Sequence, residues 1–430
     1  MKETRTIVCT GCSILCEDVA VDLDEHGKIK KILGACVLGA EKIKFTNMNE
    51  RILKPKILKN GKNEEVTFEE AIEETIKILM NSKKPLIYGW SNVSCEAINL
   101  GLKIAEKLKG IFDSTASLCQ GFSIFTAKKL GMFGATLEEV LDHGDHIIYW
   151  GTNPAETFHR HMSKYTVFPR GEKVPKGVEN RIISVVDVRE TKTVKIAHNK
   201  LVIKPGEDLK LVEAIEAWIK GEKMVEKSYA GIPAPRFFSF LRDLKNSRYA
   251  VIFYGLGVVS GGKAETNLKA LYRLVELLNK VGIKCSAIPM AGHCNMVGAV
   301  ETTLKATGFP YAIDFSTKPP NHNPQKTSII PVLMDEKVDS ALIVGSDPLA
   351  HLPVETAKKL LKIPFIVLDF VESLTMSKAT VRIPVTVTGV ETGGTAYRMD
   401  GKEVKLSPII KPPEGLKSDE QVLSVLLSKL

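Results

Sequence analysis

Four of the eight cysteines fall within the first 36 residues, three in the run CTGCSILC (Cys9, Cys12, Cys16) and the fourth, Cys36, in GACVLG. Four thiolates satisfy either a tetrahedral zinc ion or one 4Fe-4S cubane. Two residues separate Cys9 from Cys12 and three separate Cys12 from Cys16, so one irregular turn can aim three sulfurs at a common centre. Cys36 returns to that centre from a predicted hairpin: VAVDL, the turn DEHGK with Gly27, then IKKILG. Paired Cys-x2-Cys knuckles are the usual zinc pattern, whereas a compact run of three plus one remote cysteine is commoner for a cubane, and spacing leaves both open. In a reducing compartment such a cluster reads as metal ligation rather than as disulfides.

The other cysteines differ in setting. Cys95 opens a helix-like segment and Cys285 sits in a short apolar strand, so both read as small buried hydrophobes. Cys119 lies in DSTASLCQGFS, a small-residue turn between strand-like IFDS and a helix-like segment, where a side chain projects at the carboxyl end of a strand.

The elements that must position these residues alternate short apolar runs with amphipathic ones from about residue 83. PLIYGW, IFDST, HIIYWGTNP, RIISVVDVR, KLVIKP, YAVIFYGLG, SALIVGSDP and PFIVLDF are the predicted strands. That alternation predicts βαβ units, hence an α/β fold with parallel sheets flanked by helices. Several strands end in small or turn-forming residues: Gly151-Thr152-Asn153-Pro154, Asp187-Val188-Arg189, Gly255-Leu256-Gly257 and Gly345-Ser346-Asp347-Pro348. Such loops are where parallel sheets bind nucleotides, because small residues admit phosphate to backbone N–H groups. Neither a Walker A motif nor a full G-x-G-x-x-G is present. Residues 316–331 read as a long surface loop.

At 430 residues the chain has room for two to four domains. Its net charge of +9, from 59 basic and 50 acidic residues, is spread along the sequence, and aromatics make up only 7%. That is a solvated surface, not a nucleic-acid stripe. No apolar run reaches the length of a membrane span, and MKETRTIVCT lacks the apolar stretch of a secretory signal, so a cytoplasmic protein without membrane insertion is expected.

Taken together, the cysteine run with Cys36, SLCQGFS, WGTNPAETFHRH, VVDVRETKT, GHCNMVGA and VTGVETGGTAYRMDG resemble the catalytic, molybdopterin-carrying B subunits of formylmethanofuran dehydrogenases, short members of the molybdopterin oxidoreductase superfamily. The resemblance covers nearly the whole chain. It implies that Cys9, Cys12, Cys16 and Cys36 hold a 4Fe-4S cluster. It also implies that Cys119 ligates tungsten or molybdenum carried by two molybdopterin guanine dinucleotides. Gly151, Thr152, Asn153, Asp187, Arg189, Gly255, Gly257, Gly345, Asp347 and Asp369 would contact the phosphates and guanines, and Glu391 and Thr395 in ETGGT a pterin. The implied layout is an iron-sulfur module (1–52), a connecting segment (53–80), an α/β pterin-dinucleotide region with Cys119 (81–250) and a second such region (251–430).

The implied reaction is reduction of carbon dioxide to formate, for N-formylmethanofuran formation in methanogenesis. The resemblance would place Cys119, Gln120 and His293 at the reacting centre. Formate-active relatives carry His after the metal ligand and Arg in the later segment, where this chain has Gln120 and Ala291. Longer relatives continue into a C-terminal β-barrel domain, which this family supplies as a separate small subunit. The implied partners are that small β-barrel protein, an amidohydrolase-type subunit and ferredoxin-like subunits. Two other readings stay open: a paralog acting on another small substrate, and a non-catalytic 4Fe-4S electron-transfer or scaffold subunit.

Overall fold

The structure, a computed structural model, describes residues 3–48, 51–132 and 134–430. In chain order its strands are β1 (Glu3–Ile7), β2 (Val19–Leu23), β3 (Ile29–Leu33), β4 (Lys56–Lys59), β5 (Lys62–Glu65), β6 (Pro85–Gly89) and β7 (Ile111–Ser114). They continue with β8 (His146–Trp150), β9 (Ile182–Asp187), β10 (Asn199–Val202), β11 (Ser228–Tyr229), β12 (Ile232–Pro233), β13 (Tyr249–Tyr254) and β14 (Lys284–Pro289). The last are β15 (Ile313–Asp314), β16 (Asn321–His322), β17 (Ser340–Val344), β18 (Phe365–Asp369), β19 (Val381–Pro384), β20 (Gly394–Tyr397) and β21 (Glu403–Leu406).

The chain forms two compact units. The first combines Met1–Phe122, His293–Arg398 and Glu403–Leu430, and the second combines Ser123–Gly292 with Met399–Lys402. This corrects the partition drawn from sequence, which split the chain at 250/251. Strands β13 and β14 lie beyond that point, yet they pair with β8 and complete the sheet that β8 begins.

In the first unit, among the described residues, a nine-stranded sheet has the order β16-β15-β7-β6-β17-β18-β19-β4-β5. Its inner strands, from β7 to β19, are parallel. Antiparallel strands close both edges. β6, β17 and β18 are buried along their whole length, which is why they read as uninterrupted apolar runs rather than alternating ones. The helices that cover them start where the sequence places caps. Ser94 accepts from the Ala97 N–H ahead of Cys95–Lys107, and Thr67 with Glu70 forms a capping box ahead of Phe68–Asn81. Trp90 stacks on Phe112 in the core between them, with ring centroids 5.4 Å apart. The three N-terminal strands form a separate antiparallel sheet, the hairpin expected from VAVDL and IKKILG.

The second unit holds, among its described residues, a five-stranded, wholly parallel sheet of order β10-β9-β8-β13-β14. In both sheets the chain lays strands outward in one direction, then returns to the other side of its starting strand. The reversal falls between β6 and β17 in one unit and between β8 and β13 in the other. Loops leave in opposite directions at such a point and open a crevice at the carboxyl ends of the strands.

The segment 316–331 is not the open loop expected. It contains β16, the helical turn Pro324–Thr327 and the start of the helix Ile329–Met334, because its backbone is claimed by buried groups: Thr327 Oγ1 donates to the Ala312 carbonyl and the Ile329 N–H to Asp113. Among the described residues, no helix is long and apolar enough to cross a membrane.

The reversal point leaves no room for a side chain at Gly89, where φ is +125° and an added Cβ would lie 2.0 Å from the Val344 carbonyl oxygen. Gly89→Ala is therefore expected to destabilise the chain by at least about 3 kcal/mol in urea unfolding. Gly61→Ala, in the open Asn60-Gly61 turn of β4 and β5, costs only about 1 kcal/mol by the same measurement. Equal costs would show that the contact between β6 and β17 can relax.

Candidate functional site: a cysteine module and a switch-point cavity

Cys9, Cys12 and Cys16 occupy the loop between β1 and β2. The loop folds back on itself: the Cys9 N–H donates to the Cys16 carbonyl at 2.9 Å and the Leu15 N–H to that of Cys12 at 3.2 Å. Cys36 stands at the N-cap of the helix Val37–Lys44. Two glycines leave the space the thiols occupy, since a Cβ on Gly39 would sit 2.5 Å from Cys9 Sγ and one on Gly11 would sit 2.9 Å from the Gly39 backbone. Burial pushes the Cys9 thiol up to about 11 and the Cys12 thiol higher still, and the neighbouring thiols of Cys16 and Cys36 push both the same way. All four sulfurs therefore share one neighbourhood, and no disulfide joins them. Among the described residues, no three Cys, His, Asp or Glu side chains are gathered closely enough to hold a single metal ion.

Lys42, on the helix that Cys36 opens, reaches from this module toward the sheet. Its Nζ donates to the Thr10 carbonyl at 3.1 Å and stands 5.5 Å from the centroid of the Phe370 ring. It lines a cavity of about 500 Å³ together with Thr10, Gly11 and Cys119. The cavity lies at the strand-order reversal of the first unit: Asn92 and Val93 follow β6, while Gly345, Ser346 and Asp347 follow β17. Asn92 Nδ2 donates to the Gly345 carbonyl at 3.1 Å and ties the two loops together. Cys119 enters as the last residue of the turn after β7, its N–H donating to the Ala116 carbonyl at 3.1 Å.

Several polar groups here are buried without an internal partner. Asp419, 5% exposed, accepts from Thr388 Oγ1 through one oxygen, while its other oxygen has no partner. His293 Nδ1 has none either; burial holds its imidazole down to about 4, with His351 and Lys42 acting the same way, so it is neutral and offers a lone pair. Gln120, 1% exposed, leaves both amide atoms unpartnered; it adjoins Cys119 but does not line the cavity. Native proteins rarely leave such groups unsatisfied, and they fit a site shaped for a polar ligand. Burial pushes the carboxyls of Asp369 and Asp419 up to about 7, Asp369 adds to the shift of Asp419, and Lys42 offsets both.

Of the residues expected to contact cofactor, Cys119, His293, Gly345, Asp347 and Asp369 meet in this cavity. Asp347 is partly committed, its carboxylate accepting from the N–H and hydroxyl of Thr375. Gly151, Thr152, Asn153, Asp187, Arg189, Gly255 and Gly257 belong instead to the second unit, at the carboxyl ends of β8, β9 and β13. There the Gly257 N–H donates to the Gly151 carbonyl at 3.0 Å, so the loops on the two sides of that reversal touch backbone to backbone. Asn153 Oδ1 accepts from Thr193 Oγ1 at 2.7 Å, while Asp187 caps its own turn through Val188.

Glu391 and Thr395 do not reach the Cys119 cavity. Glu391 is buried against Arg51 in a two-pronged ion pair, at 2.5 and 2.7 Å, and also accepts from the Val387 N–H. Thr395 donates its N–H and its hydroxyl to Glu96. Glu391 thus fastens the segment whose Val385, Thr386 and Thr388 form one cavity wall.

Sequence reasoning missed Lys42, Tyr88, Asn92 and Asp419. Lys42 carried a usable signal, a lysine on a helix opened by a predicted ligand. Asp419 carried none, because in the Ser418-Asp419-Glu420-Gln421 capping box it reads as an ordinary first-turn acid.

A group whose folded pKa is raised contributes stability that is complete below its unfolded pKa and is lost as pH rises through the folded value. For Asp419 that window runs from 3.8 to about 7. Asp419→Asn should therefore raise the melting temperature of the metal-free chain, relative to the parent, more at about pH 8 than at about pH 5. The same increment at both pH values would show that the carboxyl does not titrate in that window.

The model of the molybdopterin oxidoreductase family matches residues 51–429. The chain is 36% identical over 432 residues to the B subunit of the tungsten-containing formylmethanofuran dehydrogenase 2 of Methanocaldococcus jannaschii, covering all of this chain and 99% of that protein. The counterpart in Methanococcus maripaludis is 35% identical over 433 residues, with the same coverage. Among solved structures, a chain of the formyltransferase/hydrolase complex of Methylorubrum extorquens superposes with a TM-score of 0.67 at 19% identity, covering 87% of this chain and 98% of that one. Acetylene hydratase from Pelobacter acetylenicus superposes at 0.69 and 14% identity, covering 99% of this chain and 69% of that one. These two likenesses establish the fold, and the closer sequence relationships establish the lineage. The chain belongs to the molybdopterin oxidoreductase family of redox enzymes, in the branch formed by the B subunits of formylmethanofuran dehydrogenases.

Proposed function

We propose that this chain is the pterin-bearing catalytic subunit of a formylmethanofuran dehydrogenase and converts carbon dioxide to formate. The observation that carries the reading is the single cavity in which Cys119 shares walls with Thr10, Gly11 and Lys42 of the cysteine module. When bound, a tungsten or molybdenum bis-pterin centre supplies two-electron chemistry and a 4Fe-4S cluster supplies single electrons.

The residues present fit both groups. Cys9, Cys12, Cys16 and Cys36 offer four soft donors in one neighbourhood, where Gly39 leaves room for the Cys9 sulfur. Cys119 offers a further thiolate at the mouth of the first unit's reversal point. Asp369 and the unpartnered oxygen of Asp419 accept N–H groups of an aminopyrimidinone edge, which pterin and guanine share. Lys42 places positive charge beside those carboxyls and offsets part of the upward push that burial gives them. His293 and Gln120 keep hydrogen-bonding capacity in reserve next to Cys119. Each unit has its own crevice with a glycine-bearing loop, which supports two dinucleotides, one on each sheet. The small barrel, amidohydrolase-type and ferredoxin-like subunits remain the partners we assign, because this branch consists of components of a larger enzyme.

Gln120 and Ala291 favour a second reading, since neither side chain titrates or binds an anion as His or Arg would. On that reading the cofactors are kept and another small substrate is used.

The test is anaerobic metal analysis of the chain produced with its partner subunits in a host that makes the pterin. Stoichiometric tungsten or molybdenum beside about four irons is expected. Iron alone would remove the catalytic reading and leave a cluster-bearing scaffold. Viologen-linked formate oxidation then separates the two substrates. In the same preparation Cys119→Ser should abolish turnover and leave the cluster's paramagnetic signal intact, and equal loss of both would make Cys119 a folding residue.

A further inference from the structure

Asp113, the third residue of β7, lies entirely out of solvent and takes no part in the cavity wall. A buried carboxylate needs compensation, and this one collects donors from three separate stretches of chain. Oδ2 accepts from the Ser117 hydroxyl at 2.8 Å and from the Ile329 N–H at 2.8 Å, and Oδ1 accepts from the Ala312 N–H at 3.1 Å. Ser117 lies within the turn that ends in Cys119, two residues before the thiol. Ala312 has φ of +53°, a left-handed conformation an alanine adopts only when its surroundings impose it. Its neighbour Tyr311 presses against the far side of the same turn, its Cε1 standing 2.7 Å from where a Cβ on Gly121 would be.

We infer that Asp113 is a positioning residue for Cys119: its carboxylate ties the Ser117 turn to the 311–312 and 329 segments and so fixes where the metal-ligating thiol points. The inference rests on the reading of Cys119 given above and adds the group that aims it. Only a carboxylate serves this purpose. All three partners are placed to donate, and an acid anion accepts through both oxygens, so these bonds favour the ionised form against the burial that pushes the carboxyl up to about 7. An asparagine in either orientation turns its NH2 toward at least one donor, leaving a backbone N–H or the Ser117 hydroxyl misdirected. Among the described residues no other titratable side chain is hydrogen-bonded to Ser117; Thr115, at the start of the turn, is tied separately to the Ser91 hydroxyl, so Asp113 holds the half of the turn nearer Cys119.

The test uses Asp113→Asn, Ser117→Ala and Ser117→Thr. The first readout needs no metal: the rate at which iodoacetamide alkylates Cys119 in the metal-free chain, followed by peptide mass spectrometry, with buried Cys294 as internal reference. The second is tungsten or molybdenum per chain after assembly with the partner subunits, with iron as control. Asp113→Asn and Ser117→Ala should each raise Cys119 alkylation several-fold, leave Cys294 unchanged, lower tungsten or molybdenum several-fold and spare iron. Ser117→Thr, which keeps the hydroxyl, should restore parental values. Parental alkylation and metal content in both disrupting variants would overturn the inference, as would a parallel rise at Cys294, which signals general loosening. If Asp113→Asn yields no folded chain, the two Ser117 variants decide. A parent protein that binds neither tungsten nor molybdenum would refute the reading of Cys119 as a metal ligand, while the alkylation result would still decide whether Asp113 orders the turn.

Discussion

Everything in the Cys119 site depends on the reversal of strand order between β6 and β17. Two parallel strands buried on both faces pair there in register, Gly89 against Val344. The loops that follow must part because their next strands lie on opposite sides. That parting makes the cavity. It sets Asn92 and Val93 on one wall and the Gly345–Asp347 loop on the other, and brings the turn after β7 to its rim. The second unit repeats the arrangement between β8 and β13, so the chain uses one solution to parallel-sheet topology twice.

Around that crevice the chain accepts unfavourable electrostatics. Two aspartates are buried near one another, a histidine is held neutral, and a glutamine and a carboxylate oxygen lack partners. Elsewhere buried charge is answered internally, as with Arg51 on Glu391 or Asp113 with its three donors. The contrast separates groups that build the frame from groups whose hydrogen-bonding capacity the fold leaves unused. On the function proposed above, a bound aminopyrimidinone would satisfy the carboxylates and complete their hydrogen bonding.

The strands were legible because each is short, β-branched and bounded by turn residues, and each expected run from PLIYGW to PFIVLDF forms a strand. The hairpin before Cys36 was legible through Gly27, and the helix at Cys95 through its Ser94 cap. Less legible were partners distant along the chain. Glu391 and Thr395 occupy a glycine-rich run that resembles a ligand loop, yet their polar atoms are taken by Arg51 and Glu96, distant residues that no local pattern relates to them. The Pro- and Asn-rich stretch before Ile329 likewise reads as loop, but its backbone groups are claimed by buried partners.

The sequence by itself determined the cysteine module, the α/β class and the position of Cys119 at a strand end, because these follow from donor chemistry, hydrophobic period and turn composition within short windows. Only the tertiary structure decided that residues 123–292 form an inserted unit, that Lys42 and Asp419 share a cavity with Cys119, and that Asp113 orders the turn beneath it. Those outcomes depend on strand pairing across hundreds of residues, and on burial, which gives a carboxylate its partners or leaves it without one. Neither quantity exists in a linear chain.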